Sequence, residues 1–557
     1  MILVSGDAYI DSPFSGVAVI GRVLTAAGFR VAIIPQPALD THDDIRRLGQ
    51  PRLFWGVSGG CVDSMVANRT ASGKKRMGDD FTPGGVNNAR PDRAVIAYCN
   101  LIRAAFKPCK PLMIGGIEAS LRRIAHYDYW SDSVRRPLLF DAKADILVYG
   151  MGERTVTDLA RALRDGRDWR SLRGLCYAAT AGSPALPDSA VTLPDYKTVA
   201  ARTPEGFQAF LEMFRAFTAN QSPYTASALL QQVDTRVLVH NPPAHPLSVA
   251  ELDAVHELPY MLEAHPIHAR HGTVRALDTI RFSLTTHRGC YGECNFCSIS
   301  VHQGRIVVSR SAASILAEAK RMTRHPKFTG IIQDVGGPTA NMYGFACSRM
   351  NKTGGCDRRR CLFPERCPSL KPDHSTQIDL LNKLRRLPGV RKVFVASGIR
   401  PDLIAADTKH GYRYIETIAT RHVSGQIKLA PEHCAPRVLE AMGKPNTSSL
   451  IKFKEAFDNI NHARGLKQFM TYYFIAAHPG CTDNDMFKLK NFTQNTLRLR
   501  PEQIQIFTPT PSTWSTAMYY TGLEPFTGKP IHVVRTLRDK QRQKDIVTNT
   551  TNKRRRT

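Results

Sequence analysis

Short apolar runs alternate with amphipathic stretches along the first third of the chain. The opening residues MILVSGD predict a buried strand that ends in a polar loop, and residues 16–28 carry apolar side chains at helical spacing and end in glycine. Four more apolar runs follow, at residues 30–37, 52–60, 111–119 and 144–153. Short apolar strands separated by helices indicate a parallel sheet with helices on both faces. We therefore predict a doubly wound α/β domain over residues 1–165, with ligands beyond the carboxyl ends of its strands.

The same alternation resumes near residue 278, after a less regular stretch. Residues 166–277 contain breaks rich in Pro, Ser and Ala and predict a partly helical connector. Six strand candidates then follow, at residues 279–286, 328–335, 390–397, 425–432, 468–477 and 503–509. Helical stretches lie between most of them, which is typical of a parallel barrel or partial barrel over residues 278–525. In such a fold the functional groups lie at the carboxyl ends of the strands.

Composition and charge narrow the class of protein. The 557 residues include 42% hydrophobic residues, enough for large cores, and carry a formal net charge of +28. Such a charge favours acidic partners such as RNA, or anionic substrates. Residues 526–557 are basic and poor in apolar residues, so we expect them to be disordered. The sequence shows no signal peptide and no apolar run of about 18 residues, and we expect a cytoplasmic protein without a membrane partner.

Three cysteines lie close together in CYGECNFC, residues 290–297. In a long chain with no export signal, cysteines favour metal or redox use over disulfides. Three thiolates from one loop can hold three irons of a four-iron cluster and leave the fourth iron open to a small molecule. A structural zinc site prefers four closed ligands, often in CxxC pairs, and only Cys294 and Cys297 form such a pair. We therefore predict that Cys290, Cys294 and Cys297 ligate a [4Fe–4S] cluster.

The motif CxxxCxΦC, with Phe296 at Φ, resembles the signature of radical S-adenosylmethionine (SAM) enzymes. In that superfamily the cysteine loop follows the first strand of a partial (β/α)6 TIM-like barrel. The resemblance implies that SAM chelates the open iron and is cleaved reductively to a 5′-deoxyadenosyl radical. It also implies a reductant such as flavodoxin or ferredoxin.

Two further stretches resemble SAM-contacting segments of the same superfamily. QDVGGPTANMYG (333–344) looks like its Gly–Gly–Glu-type motif, although Pro338 stands where many members have Glu. VASGIRPDL (395–403) resembles the segment that contacts the ribose and carboxylate of SAM. The residues that the resemblance implies for the SAM pocket are Phe296, Gly336, Gly337, Pro338, Ser397 and Arg400.

Longer stretches are similar to the YgiQ-type radical SAM proteins. They include GDAYIDSPFSG, DSMVANRT, GGIEASLRRIAHYDYWSDSVRRPLL and GGPTANMYG, and the likeness runs from residue 1 to about residue 530. The family is largely uncharacterised, so the resemblance leaves the substrate open between RNA and a small anionic metabolite. It implies a cobalamin-binding-like N-terminal domain. Histidine-ligated cobalamin needs an Asp-x-His-x-x-Gly loop after the first strand, and GDAYIDSP has no His. We expect no such cobalamin, while cobalamin without that ligand stays open.

Four more cysteines form a second group, in an insertion at residues 345–370. Four thiolates could hold zinc or a second iron–sulfur cluster, and the spacing does not decide between them. The basic run 358–360 could lower thiolate pKa values, contact an anionic substrate or be a solvated surface. The predicted ligands of this second metal site are Cys347, Cys356, Cys361 and Cys367.

RRIAHYDYW (122–130) combines basic and aromatic side chains. One interpretation is a substrate pocket, with Arg122 and Arg123 binding an anion and Tyr127 and Trp130 stacking on a ring. The other is a well-packed aromatic interface.

A second hypothesis for the whole chain comes from another class of protein. A non-catalytic nucleic-acid-binding protein with structural zinc would also have a basic surface and tail. It would bind RNA with strong salt dependence and would contain no labile iron and sulfide.

Overall fold

The computed structural model describes residues 1–183, 186–187, 189–353, 356 and 359–548. These residues form two compact units. Unit 1 holds Met1–Arg281 with Val301–Gly304 and Thr510–Ser512, and unit 2 holds the remainder from Phe282 onward. Among the described residues no helix is long and apolar enough to cross a membrane.

Unit 1 is built on one nine-stranded sheet in the order β7-β8-β9-β6-β5-β4-β3-β1-β2. Its strands are β1 Ile2–Ser5, β2 Ala32–Pro35, β3 Trp55–Ser58, β4 Leu112–Gly115, β5 Ile146–Val148, β6 Leu175–Thr180, β7 Ala190–Leu193, β8 Ala228–Val233 and β9 Arg236–His240. Strands β1 to β5 pair in parallel, and β6 and β9 add antiparallel pairs. The parallel part has helices between its strands, which confirms the predicted doubly wound fold.

The helices of unit 1 follow its strands and cover the sheet. They are Gly16–Ala26, Asp43–Arg46, Ser64–Asn68, Ala94–Ala105, Gly116–Leu121, Leu138–Asp141, Glu153–Arg164, Tyr196–Ala200, Pro204–Ala219, Val249–Glu257 and Leu277–Ile280, with 3-10 turns at Pro83–Gly85 and Pro266–His271. The core between sheet and helices includes Leu24, Phe54, Met113, Leu159 and Val239.

The predicted connector differs from what the structure shows. Residues 166–277 supply strands β6 to β9 and thus nearly half of the sheet in unit 1. The apolar pattern did not predict β8, because the polar residue Gln231 lies in the middle of that strand and is fully buried. Its amide accepts from the backbone N–H of Ala125 at 3.0 Å and donates to the carbonyl of Pro194 at 3.1 Å. A buried polar side chain with both groups satisfied costs little, but it interrupts the apolar signal.

Unit 2 contains the predicted barrel strands in sequential order. They are β10 Ser283–Thr285, β11 Ile331–Ile332, β12 Asp334–Gly336, β13 Lys392–Val393, β14 Gln426–Glu432, β15 Phe469–Ala476 and β16 Gln505–Ile506. The pairs β10–β12, β11–β13, β14–β15 and β15–β16 are parallel, and a parallel bridge joins Ile399 to Leu429. The second predicted strand is split into β11 and β12, and the fold is the expected partial (β/α)6 type.

The helices of unit 2 lie between these strands. They are Ala312–Met322, Ser348–Thr353, Ser375–Arg385, Pro401–Ala406, Gly411–Arg421, Pro436–Met442, Ser448–Arg464, Asp483–Asn491, Trp514–Thr521 and Leu537–Thr548, with a π-helical turn at Phe492–Thr496. The short helix Ile299–His302 runs from unit 2 into unit 1. Short paired strands complete the chain at Ile10–Asp11, His126–Asp128, Ser133–Arg135, Glu263–Ala264, His287–Arg288, Val308–Ser309, Ala346–Cys347 and Leu370–Lys371.

The basic C-terminal segment is not disordered where the structure describes it. Residues 537–548 form a helix in which Lys540, Gln543 and Val547 are buried. The Nζ atom of Lys540 donates to the hydroxyl of Tyr519 at 2.8 Å. Buried polar side chains therefore hold much of this helix against the rest of unit 2. A hydrophobicity pattern does not record such contacts, so it predicts disorder here. Residues 549–557 of the predicted tail lie outside the described residues.

Candidate functional site

The loop after β10 brings the three predicted cluster ligands together. Cys290, Cys294 and Cys297 are free thiols. The backbone N–H of Cys297 donates to the carbonyl of Cys294 at 3.0 Å. Burial, and after it the neighbouring Cys294, raises the pKa of the Cys297 thiol to about 12. Burial and then Cys294 also raise the pKa of Cys290. Three close thiols of this kind fit a cluster, because iron replaces their protons on binding.

Side chains of unit 2 fix this loop from two directions. Asn295 donates its backbone N–H to the carbonyl of Met442 and its side-chain amide to the carbonyl of Ala441, each at 2.8 Å. The ring of Phe296 lies edge-on to His478, with the ring centres 6.2 Å apart. His478 is itself held by the Ser515 hydroxyl at 2.7 Å from its Nε2 atom. The loop is therefore positioned by carboxyl ends of neighbouring strands and their helices.

Arg400 lies beside the cysteine loop. Its Nη1 atom is 3.8 Å from the Sγ atom of Cys294. Its Nε and Nη2 atoms donate to the carboxylate of Asp402 at 3.0 and 2.8 Å. The Nη1 edge of the guanidinium therefore faces the cysteine loop, while its opposite edge binds Asp402. Its predicted contact with the carboxylate of SAM stays a prediction.

The glycine-rich segment after β12 lies against the segment after β13. The carboxylate of Asp334 accepts from the backbone N–H groups of Ala396 and Ser397 at 2.7 and 3.1 Å, and from the Ser397 hydroxyl. A Cβ atom on Gly336 would lie 3.1 Å from the Ser397 hydroxyl oxygen, and one on Gly337 would lie 2.6 Å from the His287 ring. Both glycines are therefore required by close packing of strand ends.

The same segment reaches the first cysteine. Pro338 follows Gly337, and the hydroxyl of the next residue, Thr339, is 3.6 Å from the Sγ atom of Cys290. The structure thus brings the predicted SAM-pocket residues of both segments to the edge that carries the cysteine loop.

One group at this edge was not predicted. Glu432, at the end of β14, is buried in the left-handed region with φ of 67°. Burial raises its pKa, and its Oε1 atom is 3.7 Å from the Nζ atom of Lys444. Its charge also acts on the Cys297 thiol. A charged residue at the end of an apolar strand, in KLAPE, was the signal that could have identified it.

Arg360, from the predicted basic run 358–360 of the cysteine-rich insertion, also lies at this edge. Its Nη1 atom donates to the side-chain oxygen of Asn295 at 2.9 Å, and its Nη2 atom donates to the carbonyl of Glu293. The insertion is therefore attached to the first cysteine loop. The first arginine of the predicted basic run, Arg358, lies outside the described residues.

The second cysteine group is only partly assembled. Burial, then Glu293, raises the pKa of Cys361 to about 12, with smaller contributions from Cys347 and Cys356. Cys367 donates its backbone N–H to the Cys361 carbonyl at 2.8 Å. Among the described residues, no three His, Cys, Asp or Glu side chains meet closely enough to bind a single metal ion. That holds for both cysteine groups, and a cubane cluster holds each thiolate on a separate iron. The second metal site stays a prediction.

The pocket predicted at RRIAHYDYW is contradicted for its arginines. Arg122 forms a buried ion pair with Asp63. Arg123 is buried, donates to His240 at 3.1 Å, and lies over the Tyr149 ring at 4.5 Å. Within the same segment, the Tyr127 hydroxyl donates to Asp132 at 2.6 Å, and the Trp130 ring contacts Tyr129 edge-on. The segment is a packed core of unit 1, as the other interpretation predicted.

The strand order of unit 1 reverses at β1, where a ligand crevice is expected between β1 and β3. The loops after these strands touch each other. Gly6 donates its backbone N–H to the carbonyl of Ser58 at 3.0 Å, and a Cβ atom on Gly6 would lie 2.2 Å from the carbonyl oxygen of Gly59. The backbone itself therefore closes this crevice.

Ion-paired side chains fill the rest of that edge. Asp7 accepts from the backbone N–H of Cys61 at 2.6 Å and from the fully buried Arg90 at 2.5 Å. Glu118 accepts from the backbone N–H of Ser64 at 3.2 Å. A Cβ atom on Gly59 would lie 2.2 Å from the Glu118 carboxylate. The glycines of these loops make room for carboxylates of the chain itself.

Comparison with known proteins gives two family matches. A family model described as Radical SAM N-terminal matches residues 1–283, and a domain of unknown function, DUF3362, matches residues 502–551. A UPF0313 protein from Fusobacterium nucleatum is 52% identical over 549 residues, which cover 98% of this chain and 95% of the relative. One from Methanocella arvoryzae is 47% identical and covers 97% of this chain and 88% of the relative.

Two solved structures share the fold. TsrM, a radical SAM methyltransferase from Kitasatospora setae with cobalamin and a [4Fe–4S] cluster bound, matches with a TM-score of 0.50 and 15% identity over 98% of this chain and 81% of that one. OxsB, a cobalamin-dependent SAM radical enzyme with aqua-cobalamin and SAM bound, matches with a TM-score of 0.50 and 14% identity over 95% of this chain and 56% of that one. At these identities the likeness shows the fold alone.

Proposed function

The chain belongs to the UPF0313 family of YgiQ-type radical SAM proteins, and from this membership we propose that it binds a [4Fe–4S] cluster and cleaves SAM reductively. The observation that carries the proposal is the loop at 290–297. Three free thiols lie together there at the carboxyl end of the first barrel strand, with the Arg400 guanidinium 3.8 Å from one of them.

When bound, the reduced cluster supplies the electron that cleaves SAM to a 5′-deoxyadenosyl radical. Cys290, Cys294 and Cys297 would hold the cluster, with the Arg400 guanidinium 3.8 Å from the Sγ atom of Cys294. The residues we assign to the SAM pocket are Phe296, Gly336, Gly337, Pro338, Ser397 and Arg400. Asp334 fixes the position of Ser397 by accepting its backbone N–H and hydroxyl. A low-potential donor such as flavodoxin or ferredoxin supplies the electron.

The cysteine-rich insertion holds a second metal in this proposal. Cys347, Cys356, Cys361 and Cys367 provide thiolates for zinc or a second iron–sulfur cluster. The support is the mutual influence of three of these thiols and the attachment of the insertion to the first loop through Arg360.

Cobalamin, which TsrM and OxsB bind, does not fit the edge of unit 1 where a doubly wound domain takes its ligand. Gly6 and Gly59 meet there, and Asp7, Arg90 and Glu118 fill the remaining space. The proposed activity therefore uses no cobalamin bound at this crevice.

An anaerobic metal count and SAM-cleavage assay test the proposed function. The full chain is purified and reconstituted without oxygen, its iron and sulfide are counted, and 5′-deoxyadenosine is measured after dithionite and SAM are added. Cys294→Ala is the test variant. Cys109→Ala is the matched control, because Cys109 is a half-buried thiol of unit 1 outside both cysteine groups.

Four irons per chain and deoxyadenosine that is lost only in Cys294→Ala are the expected result. Eight irons would assign a second cluster, and four irons with one zinc would assign zinc to the second group. Native protein with zinc but no iron would overturn the proposal and favour the nucleic-acid-binding alternative.

A further inference from the structure

One wall of the barrel interior in unit 2 does not have the composition of a packed core. In β14 the alternate residues Ile427 and Leu429 are buried, so they face the covering helices, and Gln426 and Lys428 between them face the interior. The parallel register pairs Gln426 with Phe469 and Lys428 with Thr471, and Tyr473 follows on the same face of β15. We call these five residues the interior row: Gln426, Lys428, Phe469, Thr471 and Tyr473.

The interior row is open. Phe469 is 61% exposed and Tyr473 is 51% exposed, although both are in a strand that pairs with β14. The interior of a closed (β/α)8 barrel is filled by branched apolar side chains in layers. Here the same positions carry an amide, an ammonium group, a hydroxyl and two aromatic rings. A wall of this kind binds a ligand better than it fills a core.

The row ends next to the candidate cluster site. Tyr473 directly precedes Phe474, whose register partner is Glu432 at the end of β14. The backbone N–H of Ile399, the residue before Arg400, donates to the carbonyl of Lys428 in β14 at 3.1 Å. A strand rises by about 3.3 Å per residue, so the Cα atom of Tyr473 lies about one residue, or roughly 3 Å along the strand, below the edge that carries the cysteine loop.

The chemistry of the row indicates what it binds. Among the described residues, neither the ammonium group of Lys428 nor the hydroxyl of Tyr473 has a hydrogen bond or ion pair, whereas the hydroxyl of Thr471 already donates to the side-chain oxygen of Gln426 at 3.2 Å. On the neighbouring strand β13, Lys392 precedes the buried Val393 and so faces the interior as well. Two ammonium groups attract an anion, and exposed aromatic rings stack on planar groups.

We propose that the substrate of this enzyme is a small planar anion, which stacks an aromatic or heteroaromatic ring on Tyr473 and places its anionic group at Lys428. The proposal rests on the proposed function, because it takes the cysteine-loop edge as the reaction centre. It commits to a small molecule, since the row lies inside the barrel between neighbouring strands.

A pair of fluorescent probes tests it on the full, reconstituted chain with saturating SAM. 8-Anilinonaphthalene-1-sulfonate has the planar rings and the anion, and N-phenyl-1-naphthylamine has the same rings without the anion. Tyr473→Leu is expected to weaken both probes at least about fivefold, the size of one lost stacking contact. Lys428→Ala is expected to weaken only the binding of the sulfonate, by about fivefold, and to reduce the salt dependence of that binding. Tyr473→Phe and Lys428→Arg should restore binding.

Matched controls are Tyr412→Ala and Lys452→Ala, two exposed residues on helices of unit 2, which should leave both affinities within about twofold of native. The proposal is overturned if Lys428→Ala and Tyr473→Leu bind the sulfonate like native protein. It is also overturned if a single-stranded oligonucleotide displaces the probe and depends on both residues, because the occupant is then a polymer. Deoxyadenosine formation by native protein is a separate readout. Its absence contradicts the proposed function, whereas unchanged probe binding contradicts only this inference.

Discussion

The guanidinium of Arg400 lies 3.8 Å from the Sγ atom of Cys294, and its opposite edge chelates Asp402. Arg400, Asp402 and the thiol form a half-buried array in which one cation lies between a carboxylate and a sulfur atom. Burial alone would lower the pKa of Arg400, but the nearby Asp402 and Cys294 together raise it above its ordinary value. The arginine therefore stays charged next to the loop that we assign to the cluster. Its positive charge would favour reduction of that cluster.

Replacing Arg400 by Gln is expected to lower the reduction potential of the cluster. A cation near the cluster stabilises the more negative, reduced state, so its removal makes reduction harder. Unit charges at about 6 Å, with an effective dielectric of about 20, predict a shift of roughly 100 mV. An EPR-monitored redox titration measures it. Arg400→Gln with Asp402→Asn removes both charges and should return the potential most of the way to native, and equal potentials in all three proteins would contradict the assignment.

Histidine burial predicts a loss of stability in mild acid. His422 is fully buried and donates from Nδ1 to the carbonyl of Val393 at 2.8 Å. Burial lowers its pKa from 6.5 to about 4. Its contribution to stability is therefore complete above pH 6.5 and is lost as the pH falls toward 4, because only the unfolded chain takes up the proton. At pH 5 the loss is roughly 2 kcal/mol.

Urea denaturation of His422→Asn between pH 7 and pH 5 measures this contribution. Asn can still donate to Val393 but does not titrate, so its unfolding midpoint should fall less with pH than the native one. His462→Asn, at an exposed position of the helix Ser448–Arg464, is the control and should keep the native slope. A native slope in His422→Asn would contradict the prediction.

The parallel strands were predictable because they are short apolar runs that end at glycine or polar residues. Such a pattern identified β1 to β5 and the barrel strands, and it placed the cysteine loop at the end of β10. The chain's own periodicity could not identify β8, since Gln231 is buried there through hydrogen bonds that only the folded chain provides. The proximity of Arg400 to Cys294 could not be predicted from the sequence for a related reason. Its partner Cys294 is distant in the sequence, and a motif does not show which of two anions a guanidinium faces.

Two further stretches show that the type of a polar residue does not reveal its partners. Arginine side chains are usually exposed, so a functional pocket at Arg122 and Arg123 was one of two interpretations. In the structure both arginines are paired within unit 1. The segment at 537–548 has too few apolar residues to predict a packed helix, yet Lys540 and Gln543 are buried in it. In both cases the energy comes from hydrogen bonds and ion pairs, which a hydrophobic pattern does not record.

The C-terminal helix is expected to stabilise the barrel through Gln543. Its side chain accepts from the backbone N–H of Ala477 at 3.0 Å and donates to the carbonyl of Cys481 at 3.1 Å, just beyond the end of β15. Gln543→Ala leaves both buried backbone groups unpaired and should cost about 2–4 kcal/mol. Thermal unfolding measures the change. Gln541→Ala, on the exposed side of the same helix, should shift stability by less than about 0.5 kcal/mol. An equal effect of both variants would refute the stabilising role of the Gln543 hydrogen bonds.

The sealed crevice of unit 1 predicts how the chain responds to cobalamin. Gly6 lies against the carbonyl of Gly59, and the space beyond them is taken by the Asp7–Arg90 ion pair. A ligand could enter only if two backbone segments separated and a buried arginine lost its carboxylate, which costs about 3–5 kcal/mol for the ion pair alone. The full chain is incubated with hydroxocobalamin, freed of unbound cofactor by gel filtration, and examined for corrin absorbance. Much less than one cobalamin per chain is expected, with TsrM as the positive control. Retention of one cobalamin per chain, strengthened by Arg90→Ala, would show that this edge opens and binds the cofactor.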